Sequence, residues 1–425
     1  MATALPRRGR RRTAAVAFIL VSAMLDIMAM GIVIPVLPAL IEEFAGSGAR
    51  AGAINGVFIA LWALMQFVCA PAVGSLSDRY GRRPVILLST AGLAADYVLM
   101  AVAPDLWWLA AGRIVAGVTS ASFSTVYAYM ADITPPERRS RAFGLVGAAF
   151  SAGFVLGPLM GGALGGVSPR APFWAAAAMS GVAFLYGLLV LPESLPPERR
   201  TAFSWRKANP FGALALLRSE RGLLALAAVT FLVDFAHHVF SAVFVLYAAH
   251  RFGWGPWEVG LLLALVGALD VLVQGALVGP LVRRFGDLRV MNAGLLGGAV
   301  GILCMGLAPT GLLLTLSVFP NALWGLSMPT LQALMTRLVS PSEQGRLQGA
   351  VASVGSIAGV LSPVFFGAVY AVSVGGAPLL PHPGAAFFIA ALVLLGAAAI
   401  GRSSARDARR AASSPPDAAR ENRPP

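Results

Sequence analysis

The sequence predicts an all-α polytopic membrane protein whose twelve transmembrane helices form two six-helix halves related by an internal repeat. Of its 425 residues, 57% are hydrophobic and only 12% are charged, whereas a soluble globular chain carries roughly 25% charged residues. Twelve apolar runs are long enough to cross a bilayer, which takes about 20 residues per helix. Identical residues also recur between the first six and the last six runs.

The predicted spans cover residues 14–40, 53–75, 84–103, 106–129, 141–165, 171–191, 222–248, 257–279, 288–308, 311–334, 346–372 and 384–401. The Pro-rich, charged segment 192–221 is predicted to be a cytoplasmic linker between a bundle over 14–191 and a second bundle over 222–401. A basic tail, 1–13, precedes the first bundle. The stretch 402–425 is rich in Arg, Ala, Ser and Pro, which predicts a disordered tail near anionic lipid headgroups.

The repeat has a constant, ungapped offset of 205 residues. It predicts two parallel pseudo-repeats related by an axis along the membrane normal. The identical pairs are Gly74 and Gly279, Arg79 and Arg284, Gly81 and Gly286, Pro136 and Pro341, Arg141 and Arg346, Gly144 and Gly349, Pro158 and Pro363, and Gly162 and Gly367.

Most of the basic residues lie on one side of the predicted bundle. With the N-terminus in the cytoplasm, 28 Lys and Arg residues fall on the cytoplasmic side, three on the opposite side and one, Arg113, inside a span. The positive-inside rule therefore predicts a multi-pass protein with both termini in the cytoplasm. This pattern accounts for the net charge of +13 without a nucleic-acid partner. Cys69 and Cys304 lie in apolar runs of different halves, so neither a disulfide nor a metal site is expected.

The first half contains two short sequence motifs. Segment 74–84, between spans 2 and 3, is predicted to be a tight turn in which Asp78 forms ion pairs with neighbouring arginines. Span 5 carries a glycine- and proline-rich run that would let it bend and pack closely against a helix of the other half. A generic small-residue packing face is the alternative for that run. The motif positions are Gly74, Asp78, Arg79, Gly81, Arg82 and Arg83 in the segment, and Gly153, Gly157, Pro158, Gly161 and Gly162 in span 5.

Seven ionisable groups are predicted inside spans. A charge at a helix centre costs roughly 2.5–3.5 kcal/mol on insertion scales, so each such group is expected to face the central cavity or another helix. They are Asp26, Asp96 and Arg113 in the first half, and Asp234, His237, His238 and Asp270 in the second. For the two first-half acids, a helix–helix hydrogen bond is the alternative to a role in coupling. For Arg113 the alternative is snorkelling to the interface.

Segment 74–84 resembles the signature loop of the major facilitator superfamily, where it gates the conformational change, and the span 5 run resembles that family's antiporter motif. Most of the chain also resembles bacterial tetracycline/proton antiporters, for example at Leu191-Pro-Glu-Ser194 and Gln344-Gly-Arg-Leu-Gln-Gly349. The resemblance implies the major facilitator fold in a bacterial inner membrane, acting as a monomer. It implies export of a hydrophobic drug, or its metal chelate, in exchange for protons, with no cofactor. Asp26, Gln66, Asp78, Asp96 and Arg113 match positions that this family treats as functional.

The second half departs from the family pattern. The family keeps an acid in helix 9, and Gly298 falls about where it should be. Asp270, one turn before Gln274, occupies a position where the family has a His. Asp234 and His238 are four residues apart, so they share a helix face and could pair or exchange a proton. We therefore predict that coupling has moved to spans 7 and 8, and a cavity lining with no coupling role is the alternative.

These observations predict a drug/proton antiporter for tetracycline or a similar compound. A multidrug or metabolite exporter of the same fold is the alternative. The span 5 motif argues against an importer of the same fold, and the ionisable groups in the spans argue against a receptor without transport. An enzyme is not expected, because the four His lack metal-ligand spacing and the sequence contains no phosphate loop or Ser/His/Asp set.

Overall fold

The computed structural model describes residues 7–120, 123–135, 139–201, 212–218, 221–340, 343–375 and 382–413. Over these residues the chain is helical without strands, and twelve helices are long and apolar enough to cross a membrane. They are α1 (Phe18–Ala45), α2 (Gly48–Tyr80), α3 (Arg82–Val102), α4 (Leu106–Ile133), α5 (Ala142–Gly165), α6 (Ala171–Val190), α7 (Gly222–Phe252), α8 (Pro256–Phe285), α9 (Asp287–Leu307), α10 (Gly311–Thr336), α11 (Arg346–Val374) and α12 (Ala385–Arg402). The predicted fold class and number of spans are confirmed.

Segment 74–84 is mostly helix rather than the predicted turn. Helix α2 continues to Tyr80, and only Gly81 separates it from α3. Gly81 has a φ of 107°, a left-handed conformation that glycine adopts without steric cost. The second half repeats this arrangement at Gly286, which has a φ of 80° between α8 and α9. The repeat therefore holds at the level of backbone conformation.

Both ends of the chain are more helical than predicted. The helix that forms the start of span α1 begins before the span, at Arg7, inside the predicted basic tail. The helix that forms span α12 continues past the span to Ser413, inside the predicted disordered tail. Residues 202–211 and 219–220 of the predicted linker, and residues 414–425, lie outside the described residues.

Two spans of the second half each contain one wider turn. A π-helical turn occupies Phe240–Phe244 in α7, and another occupies Val273–Leu277 in α8. Such turns inside α-helices are rare and are frequent at functional sites. Each follows an ionisable residue of the same span, His238 in α7 and Asp270 in α8, so the wider turns adjoin the predicted site.

The two halves meet at the end of the bundle opposite the termini, which we call the far end. There α2 crosses α11 so closely that a β-carbon on Gly56 would overlap the carbonyl of Pro363. In the same way, a β-carbon on Gly162 of α5 would overlap the carbonyl of Pro256 in α8. Small residues at both crossings permit this backbone approach, which closes the far end.

At the other end, which carries the termini and which we call the terminal end, three of these four helices have glycines without close neighbours. Among the described residues, no heavy atom of another part of the chain lies within 4 Å of a β-carbon built on Gly74 of α2, Gly144 of α5 or Gly279 of α8. Over the part of the chain that the structure describes, the bundle is therefore more open toward the terminal end than at the far end.

Candidate functional site

The central cavity encloses about 300 Å³ and belongs almost entirely to the second half. Among the described residues of the first half, Phe154 of α5 alone lines it. The others are Val233, Asp234, His237, Phe240, Phe244, Leu262, Leu263, Val266, Asp270, Gln274, Met305, Asn321, Trp324, Gly325 and Met328. The lining joins apolar and aromatic surface with a few polar groups, which is typical of a small-molecule site.

Two carboxylates, those of Asp234 and Asp270, line this cavity from α7 and α8. Neither has an ion-pair partner among the described residues. An acidic side chain within a membrane span is costly unless it binds a proton or a cation. The structure thus brings together two of the acids that the sequence singles out, with Gln274 beside them.

Aromatic rings form one wall of the cavity. The imidazole of His237 lies edge-on to the indole of Trp324 and to the ring of Phe240, with centroid separations of 5.4 Å and 5.8 Å. Edge-to-face contacts at these separations are favourable. The wall therefore offers aromatic surface next to the carboxylates.

Trp324 also explains how the chain accommodates the departure at Gly298. The indole packs against Gly298, where an added β-carbon would lie only 2.9 Å from the Trp324 Cγ atom. A longer side chain at position 298 could not fit without moving the indole. The sequence alone showed a missing acid, whereas the structure shows the ring that fills its space.

A second cavity of about 400 Å³ adjoins the first and lies between the halves. Ile27, Met30 and Phe150 line it from α1 and α5, while Asp270 and Gln274 line both cavities. Asp270 is therefore the acid that faces the space shared by the two halves.

The predicted side-chain pair of Asp234 and His238 does not form. The His238 Nδ1 atom lies 2.7 Å from the main-chain oxygen of Asp234, so the ring donates to that carbonyl rather than to the carboxylate. Its Nε2 atom points at Gly359 of α11, next to Ala63 of α2. Consecutive residues of a helix point in different directions, so His237 faces the cavity while His238 faces the interface between the halves.

The charged residues of the first half lie apart from the central cavity. Arg113 of α4 lies 3.4 Å from the carboxylate of Asp96 in α3, whose side chain is fully buried. Gly112 makes room for this pair, because a β-carbon there would lie 2.6 Å from an Asp96 oxygen. One carboxylate oxygen of Asp26 is buried without a hydrogen-bond partner. Asp26, Gln66, Asp96 and Arg113 do not line the central cavity.

Within segment 74–84, one arginine makes the predicted ion pair. Arg82 lies 2.6 Å from Asp78 and 3.3 Å from Asp132 at the end of α4. Arg83 instead donates to the Leu188 carbonyl, and Arg79 lies over the ring of Tyr80. The cluster thus contains fewer arginines than predicted and extends to Asp132, for which the sequence predicted no role.

The second half repeats this ion pair with the charges exchanged. The residues at an offset of 205 from Arg82 and Asp132 are Asp287 and Arg337, which lie 2.6 Å apart. Asp78 likewise corresponds to Arg283. Counting identities misses this relation, whereas comparing charge at the repeat offset would find it.

Glu193, just past α6, belongs to the Leu191-Pro-Glu-Ser194 stretch that carries the family resemblance, but the sequence predicted no role for it. Its carboxylate accepts hydrogen bonds from the main-chain N–H groups of Arg82 at 2.8 Å and of Arg83 at 3.3 Å. It therefore caps the start of α3, whose first N–H groups have no partner within the helix. A β-carbon at Gly81 would overlap this carboxylate. Glu193 thus fixes segment 74–84 to the end of α6.

The glycine run of α5 packs on two helices. Gly153, Gly157 and Gly161 contact the backbone of α1 in the same half, while Gly162 contacts Pro256 and Gly260 of α8. The prediction of close packing against the other half is confirmed at Gly162. The first three glycines instead fix α5 to α1.

Comparison with known proteins shows the family. The sequence profile of the Major Facilitator Superfamily matches residues 19–363 and 226–425, and the chain belongs to this superfamily. It is 41% identical to the class C tetracycline resistance protein of Escherichia coli over 84% of this chain and 89% of that protein. It is 40% identical to the class G tetracycline resistance protein of Vibrio anguillarum, over 86% and 92% of the two chains.

Solved structures agree on the fold. A bacterial homolog of the human lysosomal transporter Spinster, in an inward-facing and unoccupied conformation, matches with a TM-score of 0.77 and 18% identity over 96% of this chain and 99% of that one. The nucleoside transporter NupG matches with a TM-score of 0.75 and 13% identity over 92% and 99%. The chain is thus a multi-pass membrane transporter that acts on small molecules, a class distinct from enzymes.

Proposed function

We propose that the chain is a proton-coupled antiporter that exports a hydrophobic drug, tetracycline or a tetracycline-like compound, free or as a metal chelate. The observation that carries this proposal is the identity of 40–41% with two tetracycline resistance proteins over more than four fifths of the chain. The positive-inside rule makes the open terminal end cytoplasmic. The protein would act as a monomer in a bacterial inner membrane, with both termini in the cytoplasm and the proton gradient as its energy source.

The geometry supports alternating access around the central cavity. Drug enters from the cytoplasm through the open terminal end and lies against Trp324 and Phe240. The carboxylates of Asp234 and Asp270 then bind either protons or the substrate, so that loading one releases the other. Rocking of the halves about the closed far end exposes the cavity to the outside. Moving one charge through the membrane field supplies about 2.3 kcal/mol per 100 mV.

One observation favours a second candidate. The antiporters this chain resembles carry an acid in helix 9, and Gly298 falls at about that position; the Trp324 indole fills the space beside it. This wall has more aromatic surface and less charge, which would suit a multidrug exporter whose substrate is not tetracycline.

Proton movement in inverted membrane vesicles separates the two candidates. Vesicles are first acidified inside by respiration and then given tetracycline, while a pH-sensitive dye reports the gradient. We expect tetracycline to release protons from vesicles that contain the protein and not from vesicles that lack it. Release by other lipophilic drugs alone would favour the second candidate, and release by none would refute export.

A further inference from the structure

A buried asparagine of α2 joins the two halves at the α7 wall. Asn55 is 1% exposed, and its side-chain nitrogen lies 2.9 Å from the main-chain oxygen of Ala242 and 3.2 Å from that of Ser241. Both carbonyls belong to the π-helical turn Phe240–Phe244. Since a carbonyl only accepts hydrogen bonds, the group that faces it must be the NH₂ of the amide.

The surroundings of Asn55 fit a specific contact rather than general packing. Gly52 and Gly56, on either side of it in sequence, contact Gly367 and Pro363 of α11, so α2 lies close to both α7 and α11. The two hydrogen bonds cross from one half of the chain to the other. When the far end opens, α2 must separate from α7 and these bonds must break.

The same turn of α7 follows the histidine pair. Ser241 accepts from Asn55 through its carbonyl and donates through its hydroxyl to the His238 carbonyl, at 3.1 Å. His237 contacts Trp324 and Phe240 in the cavity wall. A shift of the turn would therefore move His237 and Phe240 together.

We propose that Asn55 is a positioning residue for transport: its amide holds the π-helical turn of α7, and with it the His237 wall of the cavity, in the arrangement that belongs to the closed far end. The proposal rests on alternating access as part of the proposed function. It does not depend on which drug is carried or on proton coupling.

The test measures the distance across the far end without substrate. Spin labels are placed at Trp107 and Leu312, which are 83% and 70% exposed at that end and are related by the repeat offset. Cys69 and Cys304 are replaced by Ala. We expect Asn55→Leu to raise the population with a long label separation about tenfold, the effect of losing one to two net hydrogen bonds.

Two variants make the result specific. Asn292→Leu is the matched control. Asn292 is a buried asparagine whose amide donates within its own helix to the Leu288 carbonyl at 2.9 Å, so its replacement should leave the label distances unchanged. Asn55→Asp keeps the shape of the side chain but replaces the NH₂ group, which has two N–H donors, by a carboxyl that has at most one O–H donor when protonated. It should therefore shift the distances in the same direction as Asn55→Leu, but by less.

Unchanged distances in both Asn55 variants, or an equal shift in Asn292→Leu, would overturn the proposal. Failure of tetracycline to move protons would refute the proposed substrate and leave this result standing. The two inferences can therefore fail separately.

Discussion

A disulfide across the far end should abolish transport completely, and reductant should restore it. A β-carbon built on Gly375, just past α11, lies 3.8 Å from the β-carbon of Ala49 in α2, within the range of about 3.5–4.5 Å found in disulfides. It also lies 2.7 Å from the carbonyl oxygen of Ala371, so the end of α11 must shift slightly to accept a cysteine there. The variant A49C/G375C, with Cys69 and Cys304 replaced by Ala, would fix α2 to the end of α11. Drug efflux from cells measures the effect before and after oxidation.

The two single-cysteine variants are the controls for this experiment, and oxidant should leave their efflux unchanged. The cross-linked protein keeps its open terminal end, so it should still bind drug in detergent with an affinity close to that of the reduced form. Full efflux by fully cross-linked protein would contradict the requirement that the far end opens.

Removing Arg113 should destabilise the first half strongly. The Asp96 carboxylate is fully buried, and its ion pair with Arg113 at 3.4 Å compensates its charge. Breaking a buried pair by removing one partner costs roughly 3–5 kcal/mol, whereas replacing both partners by neutral groups can be nearly neutral. We therefore expect Arg113→Met to lower the melting temperature of the purified protein markedly and Asp96→Asn/Arg113→Met to recover most of the loss.

The double variant serves as the matched control, because it deletes the same guanidinium without leaving a buried charge. Equal melting temperatures for the single and double variants would show that Asp96 is uncharged and makes no ion pair. The outcome concerns stability alone, so it does not depend on which substrate is transported.

The fold could be predicted from the sequence because each membrane-spanning helix requires a long, continuous run of apolar residues. A span needs about 20 apolar residues, so twelve runs predicted twelve helices. Helix ends were less predictable: α2 continues through polar residues to Tyr80 because a helix can extend beyond the bilayer into water. Hydropathy ended this span at residue 75, whereas the helix ends just before Gly81, where φ becomes positive.

The site could be predicted only in part. Hydropathy identified the ionisable residues, and Asp234, His237 and Asp270 do line one cavity. It could not show that Asp96 and Arg113 pair inside the first half, or that His238 points away from the cavity, because these depend on helix rotation and packing. A search restricted to ionisable groups also passed over Asn55, a neutral residue whose contacts lie 186 and 187 positions away.

The ionisable groups have different surroundings in the two halves. In the first half, Asp96 pairs with Arg113, and Asp132 and Glu193 fix segment 74–84 to α4 and α6. Asp26 has no ion-pair partner among the described residues. In the second half, two carboxylates remain unpaired in the described structure and face the cavity. The cavity carboxylates therefore belong to the second half, as do most of the residues that line the cavity.

The most direct test of proton coupling compares tetracycline-driven proton release from inverted vesicles for the wild type, Asp234→Asn, Asp270→Asn and Asp26→Asn. Asp105→Asn is the matched control, because Asp105 lies at the exposed start of α4 and accepts from the N–H groups of Trp107 and Trp108. We predict that Asp234→Asn or Asp270→Asn abolishes release while Asp105→Asn retains it. Undiminished release from both cavity variants would contradict coupling through the carboxylates of the second half.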